Sequence, residues 1–155
     1  MKGKLVIFSA PSGAGKTTLV RAVLEANKEI EFSISACSRE ARKNEVNGKD
    51  YYFIGIDGFR EKIREGAFLE WEEVYKDHYY GTLKSEVERI RNKGNHVIFD
   101  VDVYGGLSIK KHYGDQAIAI FIMPPSIETL AQRLRNRSTD SEKNIKKRLD
   151  KALHE

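Results

Sequence analysis

Residues Ala10 to Thr18 read A-P-S-G-A-G-K-T-T and follow directly on the apolar run Leu5-Val6-Ile7-Phe8. The chemistry such a stretch can do is anion binding. Gly13 and Gly15 let the backbone curl around a phosphate with its N–H groups turned inward. Lys16 brings a point charge to the outer phosphates, and Thr17 offers a hydroxyl to Mg²⁺. A helix opening near Thr17 adds the positive end of its dipole. The pattern is G-x-x-x-x-G-K-[ST] with one departure, Ala10 in place of the first glycine. The loop Pro11, Ser12, Gly13, Ala14, Gly15, Lys16, Thr17 and Thr18 is therefore expected to hold the phosphates of a nucleotide.

A second group of residues points to a second ligand. Arg39 and Arg42 bracket a polar turn, and Tyr51 and Tyr80 follow with hydroxyls. Guanidinium forks with phenols suit a phosphate monoester. Asp100 and Asp102 end a buried strand in F-D-V-D, where alternation puts both on one face. An acid opposite a phosphate loop suits Mg²⁺ or its water shell, so Asp100 joins Thr17 as a metal candidate. Guanine presents two N–H donor groups beside one carbonyl acceptor. A carboxylate accepts from both, and hydroxyls donate to the carbonyl. Glu70, Asp102, Ser35 and Thr82 supply such a set. Taken singly, each of these residues reads equally well as ordinary surface. Arg133 and Arg137 stand four apart and share a helix face, where an anion between them would relieve their repulsion. Arg135 faces away, and solvent is its expected surrounding.

The elements that must position these groups follow from periodicity. Strands are expected at Lys4–Ser9, Phe32–Ser35, Tyr51–Ile56, Phe68–Tyr75, His96–Val101 and Ala117–Met123. Helices are expected at Thr17–Ala26, from a cap at Asp57 to Arg64, from Gly81-Thr82 to Lys93, and from a cap at Ser126 to about Asn136. Thr139 to Glu142 has capping-box spacing for a last helix. Residues 38–50 form a polar loop. The order implies an α/β fold, a mostly parallel sheet flanked by helices on both faces, interrupted by a β-rich insertion that faces the phosphate loop. The final helix lacks a stop signal, from which we expect a shortened C-terminus that leaves out the last strand and helix.

Composition sets bounds. The chain has 155 residues, enough for one domain with its own core. Hydrophobic residues make up 40% and charged residues 32%, as in a water-soluble globular domain. No apolar run reaches membrane-spanning length, no signal-peptide pattern opens the chain, and the single Cys37 allows no internal disulfide. The net charge of +4 suits an anionic ligand, and by itself would equally suit nucleic acid.

At this level of detail the chain resembles the guanylate kinase family. The segments that carry the likeness are the phosphate loop, S-I-S-A-C-S-R-E-A-R, E-V-N-G-K-D-Y-Y-F, F-L-E-W, Y-Y-G-T, F-D-V-D and P-P-S-I-E-T-L-A-Q-R-L-R-N-R-S-T-D-S, in register from about Leu5 to Leu149. The resemblance implies a P-loop NTPase-type core at 1–34 and 82–155, a GMP-binding insertion at about 35–81 and a helical lid at about 137–143. It implies transfer of the γ-phosphoryl group of ATP to GMP, and to dGMP, with Mg²⁺. Ser35, Glu70, Thr82 and Asp102 would recognise guanine, and Arg39, Arg42, Tyr51 and Tyr80 would hold the GMP phosphate. Lys16, Arg39, Arg133, Arg137 and Arg148 would carry the transfer. Departures from the family pattern include Ala41 for a proline and Ser138 for a glycine. A cytoplasmic monomer or weak homo-oligomer, with neither nucleic acid nor membrane as partner, is expected. Two other readings stay open: a catalytically silent interaction module, and a kinase for a different small phosphorylated acceptor.

Overall fold

In the computed structural model, the structure describes residues 2–136 and 141–155, and only the backbone of Tyr75. The apolar runs pair as a four-stranded parallel sheet in the order β2-β7-β1-β8, formed by β1 (Leu5–Ser9), β2 (Ile30–Phe32), β7 (His96–Val101) and β8 (Ala117–Phe121). Alternation sorts their side chains onto two faces. Leu5, Ile7, Val97 and Phe99 pack with Val87 and Ile90 of α3 (Lys84–Asn92) and Ile109 of α4 (Val103–Tyr113). On the other face, Phe8 and Ile98 pack with Val20 of α1 (Lys16–Ala26). The expected covering is incomplete at the edge strand β8, where Ile118 is 52% exposed.

A second, mixed sheet runs β4-β3-β6-β5 and comprises β3 (Ala36–Cys37), β4 (Tyr52–Phe53), β5 (Phe68–Tyr75) and β6 (His78–Leu83). It closes over Phe59 of α2 (Gly55–Arg64), whose ring stacks on Phe68 with centroids 4.3 Å apart. The buried Glu86 of α3 ties this sheet to the core. Its carboxylate accepts from Tyr52 Oη at 2.8 Å, from Arg89 Nε at 2.8 Å and from the Ile34 N–H at 3.4 Å. Two further helices, α5 (Ile127–Asn136) and α6 (Glu142–His154), pack through Leu130, Leu134 and Ile145. Among the described residues, no helix is long and apolar enough to cross a membrane.

Several boundaries depart from the sequence reading. The strand expected at Phe32–Ser35 lies upstream, because β2 pairs with β7 only from Ile30 to Phe32 and the Ile34 N–H turns away to Glu86. The strand expected at Tyr51–Ile56 shrinks to Tyr52–Phe53, and α2 begins at Gly55, leaving Asp57 in its first turn rather than at its cap. Gly81 and Thr82 do not open a helix. They complete β6, and a Cβ on Gly81 would stand 2.8 Å from the Glu70 carbonyl oxygen, so a side chain there would force the β5–β6 pair apart. The last helix is capped by Ser141, whose hydroxyl accepts from the Asn144 N–H at 3.3 Å. Thr139 and Asp140 lie outside the described residues. So do residues 137–138 of the expected lid, and residues 141–143 form the cap and first turn of α6. Helix α4 has no clear apolar period and carries two glycines, Gly105 and Gly106; it was not expected from the pattern.

Candidate active site

The loop leaving β1 builds the first half of the site. The Ala14 N–H donates to Pro11 O at 3.1 Å and closes a tight turn. Gly13 and Gly15 have φ of +92° and +98°, a region that side chains disfavour. Gly15 is the N-cap of α1, and no side chain caps that end. The amide groups of the first turn are therefore open to a ligand. They border a cleft shared by Pro11, Ser12, Gly13, Lys16, Thr17, Asp102 and Arg148. Thr18 lines the neighbouring cleft with Arg133.

Lys16 Nζ donates to Val101 O at 2.6 Å and pairs with Asp100 Oδ1 at 2.8 Å. An ammonium has three donors, so one is left for a phosphate oxygen. Thr17 Oγ1 donates to Asp100 Oδ2 at 3.3 Å, which sets hydroxyl and carboxylate side by side. Both are hard oxygen donors. They fit Mg²⁺ held by few protein groups together with phosphate and water. Among the described residues, no three His, Cys, Asp or Glu gather to hold a metal alone.

Two arginines reach the loop from the helices that follow. Arg133 Nη1 of α5 donates to Ala14 O at 3.1 Å, and Arg148 Nη1 of α6 donates to Ser12 Oγ at 2.9 Å. Arg137 lies outside the described residues. Arg135 is not merely solvated: its Nε donates to Glu142 Oε1 at 3.1 Å and links α5 to α6.

The second half of the site faces the first across the end of β7. Thr82 stands opposite Glu70 in the sheet, and its Oγ1 donates to Glu70 Oε1 at 2.5 Å. Burial pushes the Glu70 carboxyl above its ordinary value, the Thr82 hydroxyl works against that, and the Asp102 charge adds to it. Asp102 reaches this cleft differently from the sequence reading. The strand stops at Val101, so alternation does not aim its side chain. Asp102 is the N-cap of α4, and its Oδ1 accepts from the Gly105 N–H at 2.8 Å. Ser35, Tyr51, Glu70, Tyr80, Asp100 and Asp102 all border one cleft of roughly 200 Å³.

Arg39 is held on three sides. Its Nε donates to Tyr80 Oη at 3.1 Å, its Nη1 and Nη2 donate to the Glu45 carboxylate at 2.6 and 2.7 Å, and it lies 5.2 Å from the Tyr51 ring centroid. Tyr80 therefore accepts from the arginine and keeps its own proton for another acceptor. Glu45 also accepts from the Arg42 N–H at 2.8 Å, and the Arg42 side chain is exposed. The sequence reading missed Glu45. The available signal was an acid three residues after Arg42, in position to serve both arginines.

The Arg39 guanidinium, helped by the Arg42 N–H, holds the Glu45 carboxyl at about 2 against an ordinary 4.5. The sign follows from the depression. What the pair contributes is present in full above pH 4.5 and is lost as the pH falls through about 2. A carboxyl-carbon NMR titration of Glu45 is expected to show its midpoint near 2, and a midpoint at 4 or above would mean that the pair does not persist in solution.

Three comparisons bear on this site. A family model described as guanylate kinase matches residues 2–155. The guanylate kinase of Porphyromonas gingivalis is 57% identical over 153 residues, which is 98% of this chain and 81% of that protein. The guanylate kinase of Bacteroides thetaiotaomicron is 52% identical over 155 residues, which is 100% of this chain and 76% of that one. Among solved structures, the crystal structure of guanylate kinase from Anaplasma phagocytophilum matches with a TM-score of 0.70 at 30% identity, over 99% of this chain and 70% of that one.

Proposed function

The chain belongs to the guanylate kinase family, and from that premise we infer how its residues carry out the family reaction. It is an ATP:GMP phosphotransferase, moving the γ-phosphoryl group of ATP to GMP to give ADP and GDP. The observation that carries the assignment of roles is the pairing of two clefts at the end of β7. One is a cationic phosphate loop, and the other is an acid-and-hydroxyl cleft backed by Arg39.

In our reading, Pro11 to Thr18 cradle the ATP phosphates on open backbone N–H groups, and the spare donor of Lys16 takes an outer oxygen. Thr17 and Asp100 would hold Mg²⁺, the latter through water; bound there with ATP, the ion supplies positive charge to the phosphate oxygens. In the other cleft, Glu70 accepts from the N1–H and N2–H₂ groups of guanine, with Asp102 beside it. Thr82 keeps the Glu70 carboxylate in line, and Ser35 donates to the base. Arg39, Arg42, Tyr51 and Tyr80 hold the GMP phosphate. The insertion at about 35–81 thus serves the acceptor, while the core serves the donor.

The attacking oxygen of GMP is already anionic at neutral pH, so no strong general base is needed. What the protein must supply is alignment and charge. Two polyanions repel as they approach. Lys16, Arg39, Arg133 and Arg148 offset that repulsion, and the family resemblance adds Arg137 to them. Arg133 and Arg148 already bond to the loop, so small rotations bring them onto the transferring group.

The test is a coupled ADP-release assay across GMP, dGMP, AMP, CMP and UMP. Turnover confined to the guanine nucleotides is expected. Equal turnover of AMP would sink the roles given to Glu70 and Asp102. Binding of GMP without turnover would instead favour a silent interaction module, a reading that the intact Lys16 and Thr17 speak against.

A further inference from the structure

Glu72 borders the same cleft as Glu70, Tyr80 and Asp102, and no role has fallen to it. The register explains why it is there. Glu70 pairs with Thr82 and Glu72 pairs with Tyr80, with no shift between those rungs. Residues two apart on a strand share a face, so these four side chains form a two-by-two array on one side of the sheet. Directly opposite partners stand about 5 Å apart at Cβ, and successive rungs about 7 Å apart along the strand.

The array is read here through the roles proposed above. The base edge lies at Glu70 and Thr82, and the phosphate lies at Tyr80 and Arg39. The sugar joins the two and must cross the cleft beside Glu72. The charge pattern makes the position notable. Glu72 raises the Glu70 carboxyl further, so it crowds a cleft already lined by three other acids, Glu70, Asp100 and Asp102. Among the described residues, no cation or donor pairs with the Glu72 carboxylate. A carboxylate accepts and never donates when ionised, and the groups a ribose presents are hydroxyl donors.

We propose that Glu72 accepts a hydrogen bond from the ribose 2′-hydroxyl of the acceptor nucleotide and so makes the enzyme favour GMP over dGMP. The effect is a difference between two substrates that share base and phosphate. It therefore separates a sugar contact from general damage to the cleft. A contact of this kind is worth about tenfold in kcat/KM.

The experiment measures kcat/KM for GMP and dGMP with the parent, Glu72→Ala and Glu72→Gln, with thermal midpoints alongside. The parent is expected to prefer GMP by about tenfold. Glu72→Ala is expected to bring the two substrates within about twofold, by loss on GMP alone. Glu72→Gln keeps the shape and one weaker acceptor, and falls between. A ratio that Glu72→Ala leaves unchanged overturns the proposal. So does an equal rise for both substrates, which would place the carboxylate against the phosphate instead. A parent that turns over neither nucleotide would overturn the functional reading itself, and this proposal with it. Should the alanine variant fold poorly, the glutamine variant carries the same comparison.

Discussion

Replacing Lys16 by methionine is expected to lower turnover by about a thousandfold, with a much smaller change in the KM for GMP. Methionine keeps the apolar stem and removes only the charged head. That head pairs with Asp100 at 2.8 Å and donates to Val101 O at 2.6 Å, while its side chain is only 17% exposed. With those two bonds made, the ammonium sits at a fixed height above the loop with its third donor uncommitted. A charge held this way costs no rearrangement when the transferring group becomes more negative. Lys16 does not itself line the cleft assigned above to GMP, so acceptor binding should largely survive. Steady-state ADP release measures the loss, and a thermal melt separates it from damage to the fold. Asp100 keeps its contact with Thr17 Oγ1 at 3.3 Å in the variant, and the loop should keep its shape. Turnover within tenfold of the parent would mean that Lys16 does not meet the transferring phosphoryl group.

The second large effect is expected at Glu70. Glu70→Gln should cut kcat/KM for GMP by about 10²- to 10³-fold, because two bonds to a charged acceptor are lost and an amide donor now faces guanine donors. The same change should raise the thermal midpoint at pH 7. Burial raises the Glu70 carboxyl above its ordinary 4.5. A raised carboxyl stabilises the fold at pH values below the unfolded value of 4.5, and that contribution is lost as the pH climbs through the folded value. At pH 7 the charged form is therefore a burden on the fold. A neutral glutamine removes it and still accepts from Thr82 Oγ1. The parent should lose GMP efficiency as the pH falls through that raised value, and the variant should lack this limb. A variant that is both less stable and still efficient with GMP would show that Glu70 supports the sheet rather than the base.

How far the site was legible depended on whether its residues were neighbours in the chain. The phosphate loop is a local object. Its glycines, lysine and threonine can face one ligand because they lie within a single turn between β1 and α1, and the φ values of Gly13 and Gly15 are what such a turn requires. The strands at Leu5–Ser9, Phe68–Tyr75 and His96–Val101 were legible because buried strands are short and strongly apolar or alternating. Boundaries failed where a long-range partner overruled local preference. Gly81 and Thr82 resemble a helix opening, yet β5 captures them as strand. Helix α4 has weak local signals, and what starts it is the Asp102 cap at the end of a central strand.

The sequence by itself determined that a nucleotide phosphate is to be held, since a phosphate loop is set by residue type and spacing, and its resemblance to a known family supplied the reaction class. Only the tertiary structure decided which groups share a contact. The Glu45 clamp on Arg39 spans a polar loop with no period to read. Arg148 meets Ser12 across 136 positions of chain. Glu72 reached the cleft beside Glu70 and Tyr80 through the pairing of β5 with β6, and that pairing depends on a glycine whose missing side chain lets two backbones approach. Local chemistry is written in neighbouring residues, whereas the partners that orient it are chosen by strand register and helix packing, which emerge only when the whole chain has closed on its core.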